Sequence, residues 1–181
     1  LATHDGVDRR LLRRIGVEDE KLLARVGVEP SGGRLGADVA ACLRLGVTRG
    51  EGVGDVLTPI TGARFAGRPV LLVNPRVAVP TAAVFAAWDG VDRGPLPAGA
   101  DETMLASARN DLTAPALGLQ PVIGQVLDVM AAQPGALLVR MSGSGATCFA
   151  LFADDAACAA AAAAVRATHS DWWVEATVIL S

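Results

Sequence analysis

The chain has 181 residues, of which 51% are apolar and 19% charged, with a formal net charge of −3. That balance supports a buried core of one domain, or one domain plus part of another, and excludes disorder as the overall state. Acidic and basic residues are intermixed, so there is no electrostatic footprint for a nucleic-acid backbone or an anionic membrane.

Along the chain, Leu11, Leu12, Ile15, Leu22, Leu23 and Val26 recur at helical spacing, interrupted near Gly16, and predict two short helices. Arg9, Arg10, Arg13 and Arg14 fit the solvated side of the first. A loop follows at Pro30–Gly33, and residues 36–45 read equally as a helical start or a strand. The turn-rich stretch from Gly46 to Gly54 has the texture of a hairpin edge.

Pro69–Val73 is a wholly apolar strand candidate. Thr81–Trp88 predicts a helix introduced by Pro80, with Thr81 as a possible cap. After a Gly/Pro-rich loop over residues 90–99, Asp101 is placed to cap a helix starting near Glu102. Helical turns are expected at Asn110–Leu117 and again at Pro121–Met130, the latter ended by Pro134-Gly135. Ala136–Met141 and Thr147–Phe152 are strand candidates flanking Ser142-Gly143-Ser144-Gly145-Ala146. Asp154 and Asp155 open an Ala-rich helix to about Ala167, where acidic groups suit the positive end of the dipole. Trp172–Leu180 closes as a strand. From residue 69 the order is strand, helices, strand, strand, helix, strand, which predicts an α/β (α+β) split β-α-β sandwich with helices on one sheet face. Leu71, Leu72, Leu138, Phe149, Leu151 and Val178 are the expected buried strand residues.

Cys42, Cys148 and Cys158 are odd in number and lack CxxC spacing, and His4 and His169 lie far apart. No metal site is expected from them, and lone thiols suit a reducing compartment. No signal-peptide pattern is visible, and the Ala159–Ala164 run is too short to cross a bilayer, so a soluble cytoplasmic protein is expected.

Three segments carry chemical interest. In Ser142-Gly143-Ser144-Gly145 two glycines let the backbone bend sharply and approach a ligand, and successive N–H groups in such a bend form an anion site. Taken alone, an ordinary hairpin loop is the stronger reading, since Gly and Ser are common turn residues. Asp38, among small and apolar neighbours, reads as a helix cap, a partner for an Arg, or a base that accepts a hydroxyl proton in phosphoryl transfer. Asn74–Thr81 reads as a strand-to-helix connection, or as a substrate-binding edge with Thr81 donating a hydrogen bond and Phe85 offering an apolar face.

In this order, LGADVAACL (35–43), GEGVGDVLTPI (50–60), LLVNPRVAVPTAAVF (71–85), NDLTAPAL (110–117) and MSGSGATCFALF (141–152) resemble one family of small-molecule kinases. It is the 4-diphosphocytidyl-2-C-methyl-D-erythritol kinase family of the GHMP superfamily. The resemblance implies a two-domain fold, with residues 1–64 a remnant of the N-terminal domain and 65–181 the C-terminal domain. It also implies ATP and Mg2+ as cofactors, the 2-hydroxyl of a cytidine-diphospho-methylerythritol as the phosphorylated group, and a monomer or homodimer. On this resemblance Asp38 falls on the catalytic Asp. Ser142, Gly143, Ser144 and Gly145 fall on the motif supporting the ATP phosphate loop, and Thr81 and Phe85 near the substrate's cytidine and methylerythritol portions. Gly52 and Gly54 fall on a structural turn. Departures are Val39-Ala40 after Asp38, where the family has Val-Pro, and the lack of a GLGGGSS-type phosphate loop and of a matching lysine, Lys21 being the sole Lys. These departures lead to the expectation of the C-terminal part of a longer kinase, inactive or weak alone. The alternatives are a non-catalytic binding module of the same fold and a different GHMP kinase.

Overall fold

The computed structural model describes residues 47–52, 56–60, 64–99 and 101–179. Asp38 and the two helices expected before residue 30 lie outside the described residues. The described residues belong to two compact units, one containing residues 47–60 and the other running Arg64–Ile179.

In the first unit β1 (Thr48–Glu51) pairs antiparallel with β2 (Val56–Pro59), Thr48 opposite Pro59 and Glu51 opposite Val56. Ile60 N–H closes the open end on Val47 O at 2.8 Å. The hairpin texture read at Gly46–Gly54 is this pair.

The second unit contains β3 (Pro69–Asn74), α1 (Thr81–Ala86), α2 (Glu102–Ser107), α3 (Thr113–Leu119), α4 (Val122–Ala131), β4 (Ala136–Met141), β5 (Cys148–Phe152), α5 (Asp155–Thr168) and β6 (Trp173–Val178). Its four strands form one antiparallel sheet in the order β4-β5-β3-β6. β3 is apolar from Pro69 to Val73 because it lies inside the sheet, paired on both sides, and Pro69 stands at its first position, where a missing N–H does least harm.

Register decides which side chains meet the helices. Leu71 lies opposite Ala150 and Ala176, and Val73 opposite Cys148 and Val174. These residues share one face with Val139 and Met141 of β4. Against this face pack Ile123, Val126 and Met130 of α4, spaced three and four apart, and Cys158, Ala161, Ala162 and Val165 of α5. The three buried α4 side chains contribute about 2 kcal/mol each by removal from water. α5 uses small residues, so its backbone lies close to the sheet. Burial pushes the Cys148 thiol up to about 12, so it stays a small hydrophobe within this core.

Leu138, Phe149, Leu151, Val70 and Leu72 point to the opposite face. Of the expected buried residues, Leu71 and Leu151 are buried, and Leu72, Leu138 and Phe149 only half so. Val178 is a correction: it is 46% exposed, because it ends the edge strand β6, and no strand flanks it beyond. One-sided helix packing also has an exception. Leu105 and Ala106 of α2 line a hollow of about 220 Å³ with Leu138 and Leu151 of the opposite face, and Arg140 Nη2 donates to Ala106 O at 3.2 Å.

Helix starts follow local chemistry. Asp101 Oδ1 accepts from Met104 N–H at 2.9 Å, as read from the sequence, and Asp154 Oδ1 accepts from Ala157 N–H at 2.8 Å, so that the Asp read only as an acidic opening residue is the cap. Thr81 corrects the sequence reading: Pro80 occupies the cap position without a side-chain bond, and Thr81 is the first helical residue. Its hydroxyl is thereby free of capping. α1 ends at Ala86, before Trp88. Among the described residues no helix is long and apolar enough to cross a membrane.

Candidate functional site

The loop between β4 and β5 is a tight reversal. Ser142 N–H donates to Thr147 O at 2.8 Å and Gly145 N–H to Ser142 O at 2.9 Å. Gly143 has φ 54° and Gly145 φ 86°, conformations that side chains of L-residues rarely adopt. The two glycines do different work. A Cβ at Gly143 would meet nothing within 4 Å, so that side of the loop is open. A Cβ at Gly145 would lie 3.0 Å from Met141 Sδ and 3.2 Å from Ile123 Cδ1, so that side is pressed onto the core. The N–H groups of Gly143 and Ser144 engage no described residue. The loop thus carries two consecutive N–H groups that engage no described residue, next to the hydroxyls of Ser142 and Ser144, the groups from which an anion site can be built.

Two asparagine amides fix this loop. Asn110 Nδ2 donates to Met141 O at 3.0 Å and to Gly143 O at 2.8 Å, while its Oδ1 accepts Leu112 N–H at 3.0 Å. Asn74 Nδ2 donates to Thr147 Oγ1 at 2.8 Å, and its Oδ1 accepts Arg76 N–H at 2.7 Å. Sequence reasoning placed Asn110 inside a helix and gave Asn74 no role of its own. The available signal was an Asn two residues ahead of a chain reversal, where the side chain mimics a turn.

The segment after β3 meets the same loop a second time. Thr81 Oγ1 and Ser144 Oγ lie 3.0 Å apart. The structure therefore brings together Thr81 and Ser144, residues picked out for different ends of a reaction. Phe85 sits one helical turn beyond Thr81, on the same side of α1, and is 54% exposed, whereas its neighbour Val84 is fully buried. An open cleft of about 590 Å³ lies behind Asn110, with Trp88, Asp89, Arg93, Asp111 and Thr113 among its walls. Arg93, hydrogen-bonded to Asp89, holds that carboxyl well below its usual range, at about 2. Asp89 is thus the ion-pair partner of Arg93. Asp38 lies outside the described residues, so its place relative to this loop is not part of the geometry. Among the described residues no group of His, Cys, Asp and Glu is arranged to hold a metal ion.

Residues 98–171, which contain the glycine-serine loop and Asn110, match the family model described as GHMP kinases C terminal. The chain is 57% identical over 139 residues to 4-diphosphocytidyl-2-C-methyl-D-erythritol kinase of Rhizorhabdus wittichii, covering 77% of this chain and 47% of that protein. It is 53% identical over 146 residues to the same kinase of Sphingopyxis alaskensis, covering 80% of this chain and 51% of that one. The chain is a homologue of these enzymes and carries a GHMP kinase C-terminal domain. It spans about half the length of the curated relatives it matches. Among solved structures, a 4-(cytidine 5'-diphospho)-2C-methyl-D-erythritol kinase superposes with a TM-score of 0.64 at 30% identity, covering 80% of this chain and 55% of that one. Homoserine kinase from Cytophaga hutchinsonii superposes with a TM-score of 0.54 at 20% identity, covering 97% of this chain and 62% of that one, a likeness of fold alone. The mixed α/β GHMP kinase fold is thus common to all of them.

Proposed function

We propose that the protein carrying this chain is an ATP-dependent, cytoplasmic kinase that phosphorylates the 2-hydroxyl of 4-diphosphocytidyl-2-C-methyl-D-erythritol, with this chain supplying its C-terminal domain and residues 1–64 a remnant of the N-terminal one. The 57% identity to a kinase of that name supports the substrate. The observation that carries the site is the 3.0 Å contact between Thr81 and Ser144, which joins the substrate-edge segment to the glycine-serine loop.

In this reading the open side of the loop receives phosphate oxygens. Gly143 and Ser144 N–H and the hydroxyls of Ser142 and Ser144 donate, and Gly145 keeps the loop close to the core so that these donors stay preorganised. Thr81 holds the Ser144 hydroxyl and presents its own to the acceptor substrate, while Phe85 offers an aromatic face to a nucleobase. Asp38 accepts the proton of the attacking hydroxyl. Mg2+-bound ATP supplies the transferred phosphoryl group, and catalysis in such reactions is chiefly positioning and charge stabilisation.

A substrate panel tests the reading. The whole protein, given ATP and Mg2+, is expected to release ADP with 4-diphosphocytidyl-2-C-methyl-D-erythritol and not with homoserine or mevalonate, and Asp38→Asn is expected to abolish turnover without unfolding the protein. Turnover of homoserine in preference would replace the substrate. Normal turnover in Asp38→Asn would remove Asp38 from the mechanism.

A further inference from the structure

Residues 74–81 are tied to the glycine-serine loop at both ends, by Asn74 Nδ2 on Thr147 Oγ1 at 2.8 Å and by Thr81 Oγ1 on Ser144 Oγ at 3.0 Å. Between those ties Pro75 is buried and Val77 and Val79 pack against the core, while Arg76 is exposed. Arg76 is the single formally charged residue in Asn74–Thr81 and in Ser142–Thr147 together. It is also the one described residue other than glycine with a positive φ, 58°. Its N–H is held in that conformation by Asn74 Oδ1 at 2.7 Å, the same side chain that ties the segment to Thr147.

Two features of Arg76 bear on its role. A glycine would adopt this left-handed backbone freely, whereas an arginine there is disfavoured by its Cβ. Nor does the side chain repay the cost through a contact. The guanidinium groups of Arg93, Arg109, Arg140 and Arg166 each reach a carboxylate or a carbonyl, but those of Arg64 and Arg76 reach no described residue, and of these two Arg76 is the one in the segment tied to the loop. Backbone outliers that the fold does not use collect at binding sites. A planar, permanently charged fork carried by a segment tied at both ends to that loop has the chemistry to receive phosphate oxygens in pairs.

We propose that Arg76 is a further ligand-binding residue of this site, its guanidinium receiving the diphosphate of a nucleoside-diphosphate-type ligand seated on the glycine-serine loop. The proposal rests on the kinase reading for the identity of that ligand, not for the anion site itself. A diphosphate reaches such a site from the acceptor substrate or from the phosphoryl donor, and the probes below separate the two.

The test is calorimetric titration of the 181-residue chain, as wild type, Arg76→Gly and Arg76→Lys, with inorganic pyrophosphate, cytidine 5'-diphosphate, ADP and cytidine. Pyrophosphate is expected to bind the wild type and to lose about tenfold or more in affinity with Arg76→Gly, as expected for a charge-assisted contact. Arg76→Lys recovers part of the loss, since it restores the charge without the fork. Whichever of cytidine 5'-diphosphate and ADP weakens in parallel identifies the source of the diphosphate. Cytidine affinity stays the same in all three proteins. Arg76→Gly is expected to keep its melting temperature or gain about 2–4 °C, because glycine relieves the backbone. A wild type that binds no pyrophosphate, equal pyrophosphate affinity in wild type and Arg76→Gly, or a lowered melting temperature in Arg76→Gly would each overturn the proposal. Loss of pyrophosphate binding in Arg76→Gly beside a wild type indifferent to cytidine would uphold Arg76 and overturn the cytidyl substrate instead.

Discussion

Gly145 shows how one missing side chain sets the geometry of the site. Its φ of 86° strains any L side chain, and the 3.0 Å and 3.2 Å approaches mean that Met141 and Ile123 must give way by a few tenths of an ångström to admit a methyl group. Gly145→Ala is expected to cost about 1–3 kcal/mol, seen as a lower urea midpoint, from the combined strain of backbone and packing. An unchanged midpoint would mean that the loop is not braced on the core. At this scale the sequence was legible where a residue acts locally. Asp101 and Asp154 cap the helices they precede because a short carboxylate reaches the N–H three residues on. Thr81 was misread for the converse reason. Its hydroxyl partner, Ser144, is 63 residues away, and no local pattern announces such a contact. Asn74 and Asn110 escaped for the same cause, their amides being engaged with backbone and side chain of the distant loop.

The elements were legible to the extent that burial on one face imposes a period. The α4 residues Ile123, Val126 and Met130 recur at helical spacing because one face meets the sheet, and β3 is apolar from Pro69 to Val73 because it is one of the two inner strands. What composition could not supply is which strands lie at the edge. Val178 looks like a core residue in sequence and is exposed at the last position of the edge strand β6, whereas Val174 nearer the start of the same strand is buried. α5 illustrates an element held by its start as well as by its packed face. Its Asp154 cap lies at the exposed end of a helix whose small side chains bury little area each. Asp154→Ala is therefore expected to lower stability by about 1 kcal/mol, and circular dichroism melting of the two proteins would read it. No change in melting would show that the sheet contacts of α5 make its cap redundant.

For the whole molecule, the fold and the family were both open to sequence reading. The glycine-serine loop, the Asn74–Phe85 run and Asn110–Leu117 occur in one order along the chain, and the structure gathers parts of all three around one loop. The chain covers about half of each relative, so Asp38 as proton acceptor and the loop as phosphate seat are both proposals, and of the two the loop lies within the described residues and Asp38 outside them. That division fixes the measurement that bears most directly on the account. It is the KM of the whole protein for ATP and for 4-diphosphocytidyl-2-C-methyl-D-erythritol in Ser144→Ala compared with wild type. Because Ser144 stands on the open side of the loop assigned to phosphate oxygens, the KM for ATP should rise by more than that for the cytidyl substrate. A rise confined to the cytidyl substrate would place the loop at the other end of the reaction and contradict the account.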